Sequence, residues 1–423
     1  MKFLSSIKII AILSLALILV SCSKKGSDTK PQTTQVTISS LNVTSGPYNT
    51  SVVITGTGFD ATKTNDKVFF NGKAATVTAA TTTRLTVTVP LGAGSGNVTV
   101  SVNNGETVIG PAFYYVFTTT LSTVAGSGLI GFTDSQGAGA SFTGLWGIAI
   151  DPSGNLFVTD VSFLRKILPD GTVRTFAGDN TARHRDGTGT QASFDSPLGL
   201  FADASGNIYV AEMESIRKVT PDAIVSTVQG SAVVQANYKD IVTDAAGNIF
   251  SCGNNVITKI TPEGALEILA GNSQNSSIDG LAPSASFSYP TALCLDHLGN
   301  IYVADQGTSK VRMITYGGYV NTIAGNGLRG NTDGPALSAS FKNITGVAVD
   351  AAGNIYVSDA GNYTIRMITP DGMVSTIAGD GSQGFKDGPG LSSQLFSPQA
   401  LVLDNSGNIY IADGLKVRKI TLQ

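Results

Sequence analysis

Six copies of D-x-x-G-N begin at Asp151, Asp203, Asp244, Asp296, Asp350 and Asp404. They divide the chain from residue 121 onward into units of roughly fifty residues, with the step from Asp203 to Asp244 the short one. Such a period excludes most single-core folds. Each unit is one small sheet that cannot bury both its faces alone, and stacked copies bury them in each other. In the fifth unit GVAVD, NIYVSD, TIRMITP and MVSTIAG read as four strands. The first is almost wholly apolar, as a strand covered on both faces should be. Gly353-Asn354 and Asp371-Gly372 are its tight turns.

The ends of the array decide its shape. The last unit stops at KVRKITLQ, one strand short. Ahead of the first unit stands an orphan, LSTVAG at 121–126, which matches the fourth strands VRTFAG, VSTVQG, LEILAG, VNTIAG and VSTIAG. The spare strand is predicted to complete the last unit, closing a ring of six blades and removing the raw edge. The expectation is an all-β chain whose six-bladed β-propeller occupies residues 118–423.

Inside the repeat, G-N-I-Y-V-[AS]-D, the following Arg-Lys-Ile or Arg-Met-Ile, P-D-G and S-T-I-A-G resemble NHL-repeat propellers over about 300 residues. The resemblance implies a scaffold that binds proteins or glycans. It also admits lyases, and its neighbouring families include calcium-dependent lactonases and hydrolases.

Upstream, residues 35–117 alternate with period two in SVVITGTGF, KVFFNGKAATV, RLTVTVP and GNVTVSVNN, with turns at Asn71-Gly72 and Asn104-Gly105. Short strands at this spacing predict an immunoglobulin-like sandwich, here without an internal cysteine pair. Ser45-Gly46-Pro47, Val53-Ile54-Thr55-Gly56-Thr57-Gly58-Phe59, Val68-Phe69-Phe70-Asn71-Gly72, Val89-Pro90 and Phe113-Tyr114-Tyr115 resemble the IPT/TIG family. That implies a spacer or interaction module, not a reaction.

The first residues read as a processing signal. Lys2 and Lys8 flank the start of IIAILSLALILV, too short to span a bilayer comfortably. The run ends in Leu19-Val20-Ser21-Cys22, which resembles a bacterial lipobox. That implies a signal peptide at 1–21, lipid on Cys22 and a polar tether at 22–34. An ordinary secretory signal is the other reading. With the two domains, these features resemble lipoproteins of the Bacteroidetes type, held at the outer membrane by lipid. Ser23-Lys24-Lys25 is basic where surface-displayed lipoproteins often carry acids, so the periplasmic and outward-facing sides both stay open.

Charges within the repeat are largely structural. The second strand ends in an acid at Asp160, Glu212, Asp305, Asp359 and Asp413, and the third carries Arg165, Arg217, Arg312, Arg366 and Arg418. The third unit has Gly253 and Thr258 instead. Acid and base vanish together, as ion-pair partners do, because losing one strands the other. The third unit also replaces loops such as DGPALSASF and DGPGLSSQLF with VVQANY, either a gap for a partner or drift in a redundant repeat.

The fifth residue before each landmark should ring the channel mouth: Trp146, Leu198, Lys239, Thr291, Thr345 and Gln399. Trp146, the one tryptophan, either stacks on a ligand at the mouth or plugs the ring.

Catalysis needs a constellation, and none is apparent. His184 and His297 are the only histidines, so this chain alone cannot supply a three-histidine zinc site. No metal or cofactor is expected, although an oxygen-ligated Ca²⁺ would suit a hydrolase, lactonase-like or lyase alternative. Cys252 and Cys294 read as separately buried thiols, with a disulfide as the other option. A net charge of -3 and 13% charged residues leave no basic patch for nucleic acid. The expectation is a monomeric, non-catalytic envelope lipoprotein that binds a polysaccharide or an envelope protein.

Overall fold

The computed structural model describes residues 35–90, 92–231 and 237–422. The signal, the tether and Cys22 lie outside these residues, as do positions 232–236 of the short third-unit loop. The chain forms two compact units.

The first holds most of the sandwich, with strands Thr37–Leu41, Ser51–Thr57, Asp66–Phe70, Lys73–Thr81 and Arg84–Thr88 and the greater part of Gly96–Val102 and Thr107–Tyr115, while the short strand Ser45–Gly46 groups with the second unit. Period-two patterning sets its faces. Val52, Ile54, Val68, Phe70, Leu85, Val87, Val98 and Val100 all point inward and are buried. Asn71 and Gly72 both take positive φ, 45° and 80°, as a type I′ hairpin requires. The later turn sits at Asn103-Asn104, with φ of 53° and 58°, one residue ahead of the predicted position.

The second unit is the ring. Blade 5 runs Ile344–Val349, Ile355–Asp359, Thr364–Ile368 and Met373–Ala378 in antiparallel order, and the other blades repeat it. The first strands touch in a closed circle, blade 1 against 2 and so on to blade 6 against 1. Thr119–Ala125 pairs with Lys416–Leu422, setting Ala125 opposite Val417, Leu121 opposite Ile420 and Thr119 opposite Leu422. The tail of the chain thus closes against the strand that opens the array.

Each landmark turn is held by its own aspartate. Asp350 accepts the N–H groups of Ala352 and Asn354 on Oδ1, at 3.0 and 2.8 Å, and Asn354 Nδ2 on Oδ2. Gly353 follows at φ 84°, which a side chain would strain.

One feature exceeds the four-strand expectation. In blades 2, 4, 5 and 6 a two-residue strand adds to the outer edge: Gly187–Thr188, Gly280–Leu281, Gly334–Pro335 and Gly388–Pro389. In these blades, and in blade 1 where Gln136 bridges Thr172, the entering segment first straps across the blade's outer strand and then turns inward. The turn delivers Phe142, Phe194, Phe287 and Phe341, all fully buried, between successive sheets. Such wedges and the apolar first strands are what bury the blade faces in each other. Among the described residues no helix is long and apolar enough to cross a membrane.

Candidate functional site

The repeated acids and arginines lie inside the blades. All five arginines and all five second-strand acids are fully buried. Arg165 Nη1 meets Asp160 at 2.8 Å, Arg217 meets Glu212 at 3.4 Å, Arg312 meets Asp305 at 3.2 Å, Arg366 meets Asp359 at 3.2 Å and Arg418 meets Asp413 at 3.0 Å. Nη2 of each reaches a second acid that sequence reasoning missed: Asp134, Asp186, Asp279, Asp333 and Asp387, all on the straps. The strap acid also accepts backbone and hydroxyl donors from the outer strand, as Asp279 does from Thr322. Each arginine therefore clamps a strap to its blade. The signal was visible in the D-G that opens four of the five straps, Asp134 being followed by Ser135, and that is missing from the third unit together with the pair.

A cavity of about 610 Å³ opens along the ring axis, lined by the first strands of all six blades. All six mouth positions line it, but they differ in what they leave free. Trp146 is 50% exposed and so stands at the mouth instead of plugging the ring. Thr291 and Thr345 donate their hydroxyls to the next blade, to Ile344 O at 3.2 Å and Pro398 O at 2.8 Å, and act as inter-blade ties. Gln399 Nε2 donates to Ser397 Oγ, Leu198 is half-buried, and Lys239 Nζ stands 5.6 Å from the centroid of the Tyr289 ring. Tyr289 is a second exposed aromatic that the sequence reading passed over. Its φ is 53°, uncommon for a bulky residue, and its N–H is held by Asn255 Oδ1 at 2.8 Å.

Below the mouth lies a carboxylate that was also missed. The fourth residue before each landmark is Gly147, Gly199, Ala292, Gly346 or Ala400, but Asp240 in the third unit. Small residues suit this position because the blades approach closely. A Cβ at Gly147 would lie 2.2 Å from Leu198 O. Asp240 fits because Gly199 leaves room: a Cβ there would lie 2.1 Å from Asp240 Oδ1. Its Oδ2 accepts the Leu293 N–H at 3.0 Å. Burial pushes Asp240 up to about 7 from 3.8, against the opposing pull of the Leu293 and Ile241 N–H groups. Cys252, opposite it in the ladder, and Cys294 on the next blade are free thiols, raised by burial and then by the charge of Asp240.

This raised value has a consequence for stability. Between about pH 4 and about pH 7 the folded chain holds a proton on Asp240 that the unfolded chain has released, so stability falls as pH rises across that window and levels off above it. The slope is about 1.4 kcal/mol per pH unit at most. Asp240→Asn is expected to remove this share, making the variant more stable than the parent at pH ~8 and nearly matched at pH ~4. Denaturant titrations at the two pH values check it. A variant less stable at the higher pH would overturn it.

Other chemistry is thinly represented. His297 lies exposed in its turn. His184 Nδ1 lies 2.7 Å from Glu212 Oε2 and 3.3 Å from Ser215 Oγ, so acid and hydroxyl share one ring nitrogen, unlike a serine relay, which needs both. Among the described residues no three His, Cys, Asp or Glu side chains gather as a metal site.

Residues 36–135 match the IPT/TIG domain family. The bovine NHL repeat-containing protein 2 is 34% identical over 134 residues, which is 30% of this chain and 18% of that protein. The chain spans a quarter or less of the length of the curated relatives first matched. A structural-genomics protein of unknown function from Bacteroides thetaiotaomicron VPI-5482 shares the fold, with a TM-score of 0.63, 21% identity and coverage of 92% of this chain and 98% of that one. An auxiliary nutrient binding protein from the same organism follows with a TM-score of 0.56, 17% identity and coverage of 92% and 97%. The chain thus carries an IPT/TIG domain followed by a six-bladed β-propeller of the NHL-repeat type.

Proposed function

We propose that the propeller is a non-catalytic binding module of the cell envelope that takes a glycan at the channel mouth. One observation carries this reading. Two half-exposed aromatic side chains, Trp146 and Tyr289, stand over a cavity of about 610 Å³ whose rim adds Gln306, Asn343, Gln399 and Lys239. Aromatic faces stack on sugar rings, while amides and an ammonium group satisfy hydroxyls. The likeness to proteins described as auxiliary nutrient binding proteins from two Bacteroides species agrees with it. In this reading lipid on Cys22 holds the molecule to the outer membrane, the tether gives reach, and the sandwich is a spacer.

The test is a polysaccharide and oligosaccharide panel. Retention on at least one glycan is expected, weakened about tenfold or more by Trp146→Ala with the thermal midpoint unchanged. Glycan retention that ignores both Trp146→Ala and Tyr289→Ala would place the site elsewhere. Capture of protein without any glycan would replace the glycan by a protein partner.

A further inference from the structure

Asp240 is the one acid among the residues lining the cavity, and no cation among the described residues meets it. The buried second-strand acids each face an arginine. Asp240 has backbone donors alone, with Leu293 N–H on Oδ2. Lys239 precedes it in the chain but holds its Nζ over the Tyr289 ring at the mouth. The remaining neighbours do not compensate the charge. Cys252 and Cys294 are uncharged thiols, the first strand of blade 2 (Leu200–Ala202) brings no titratable side chain, and Tyr209 on its second strand is engaged with Asp203. The surrounding wall is mainly Leu, Val, Ile and Ala, with Phe201, Cys294 and glycines.

We propose that Asp240 anchors a ligand carrying an ammonium group, so that the site takes an amine-bearing sugar in preference to a neutral one. This rests on the channel-mouth reading above. An unpaired carboxylate in apolar surroundings is costly. An entering ammonium would form a charge-assisted hydrogen bond and remove that cost, which a hydroxyl does only in part. Asp240 ties blade 3 to blade 4 through the Leu293 N–H, but the fold does not need an acid for this strand, because five blades build it with Gly or Ala at the same position. Its blade is also the one without the arginine clamp, so the only acid at these two places in the third unit has been set into the cavity instead of the sheet. The cavity volume suits one or two sugar rings, with the aromatic pair above to stack on them.

A matched set of β-1,4 dimers separates the outcomes: the glucosamine dimer with free amines, its N-acetylated form, and cellobiose. Each is titrated against the full chain in detergent at neutral pH, by calorimetry and by the emission of Trp146. The free-amine dimer is expected to bind at least about tenfold more tightly than the other two. That preference should disappear in Asp240→Ala and Asp240→Asn. Alanine already stands at this position in blades 4 and 6, so the first variant keeps a residue the fold accepts. Equal binding of the three dimers, or a preference that survives Asp240→Ala, overturns the proposal while leaving the mouth as a site if Trp146→Ala still weakens binding. If none of the three dimers is bound while the wider panel yields a glycan whose retention Trp146→Ala weakens, the amine preference is overturned and the mouth reading stands; if no glycan of the wider panel is retained, the mouth reading falls.

Discussion

Arg366→Ala is expected to destabilise the propeller by about 3–5 kcal/mol, read as a fall in the denaturant midpoint. Arg366 is fully buried and touches Asp359, which is also fully buried, as well as Asp333 on the strap. It further donates to the carbonyls of Thr332 and Ser340. Alanine removes the cation and leaves one carboxylate stranded in the sheet, so the loss is the cost of an orphaned charge more than the worth of the pair. The third blade supplies the control. Writing its residues into the fifth, with Arg366→Thr and Asp359→Gly together, is expected to cost less than Arg366→Ala alone, since no buried charge is left without its partner. If the double change costs the sum of two severe single changes, the clamp is not acting as a unit.

Leu121→Asp is expected to open the ring. Leu121 is 1% exposed, lies opposite Ile420, and packs among Ile409, Ile411 and Leu395. A carboxylate there must either be buried unpaired or pull the strand away from its partner. A loss of about 4 kcal/mol or more is expected, with new protease sensitivity both near residue 121 and at the C-terminal strand. Thr120 points the other way and is exposed, so Thr120→Asp should change stability by no more than about 0.5 kcal/mol. A Leu121→Asp chain with unaltered stability would mean that closure by this strand does not hold the ring together.

The ring could be read from sequence because its cause is local and repeated. Apolar first strands, Asp-capped turns and an unmatched strand at each end of the array are all short-range patterns. The arginine pairs were legible for a different reason, because both partners vanish from the same unit. Contacts between distant segments were not. The strap acid Asp333 and Arg366 are separated by most of a blade, and D-G reads as an ordinary turn until the strap is seen lying against the outer strand. Thr291 and Thr345 counted as ligand-face residues because no sequence pattern reveals a carbonyl waiting on the next blade. Asp240 was overlooked beside Lys239, although a single acid among five Gly and Ala residues is plain once the units are aligned on their landmark. Tyr289 stands two residues before the ring position and owes its place to a left-handed backbone that Asn255 supports.

The mouth of the ring is the proposed ligand site. Trp146 is the only tryptophan in the chain and lines that mouth, so its emission reports on this one place. The decisive measurement is a titration of the full chain with a glycan it retains, following Trp146 emission and its quenching by acrylamide. A saturable blue shift with reduced quenching, at the affinity found by calorimetry, is the result expected. Calorimetric binding that leaves both the emission and the quenching of Trp146 unchanged would contradict it.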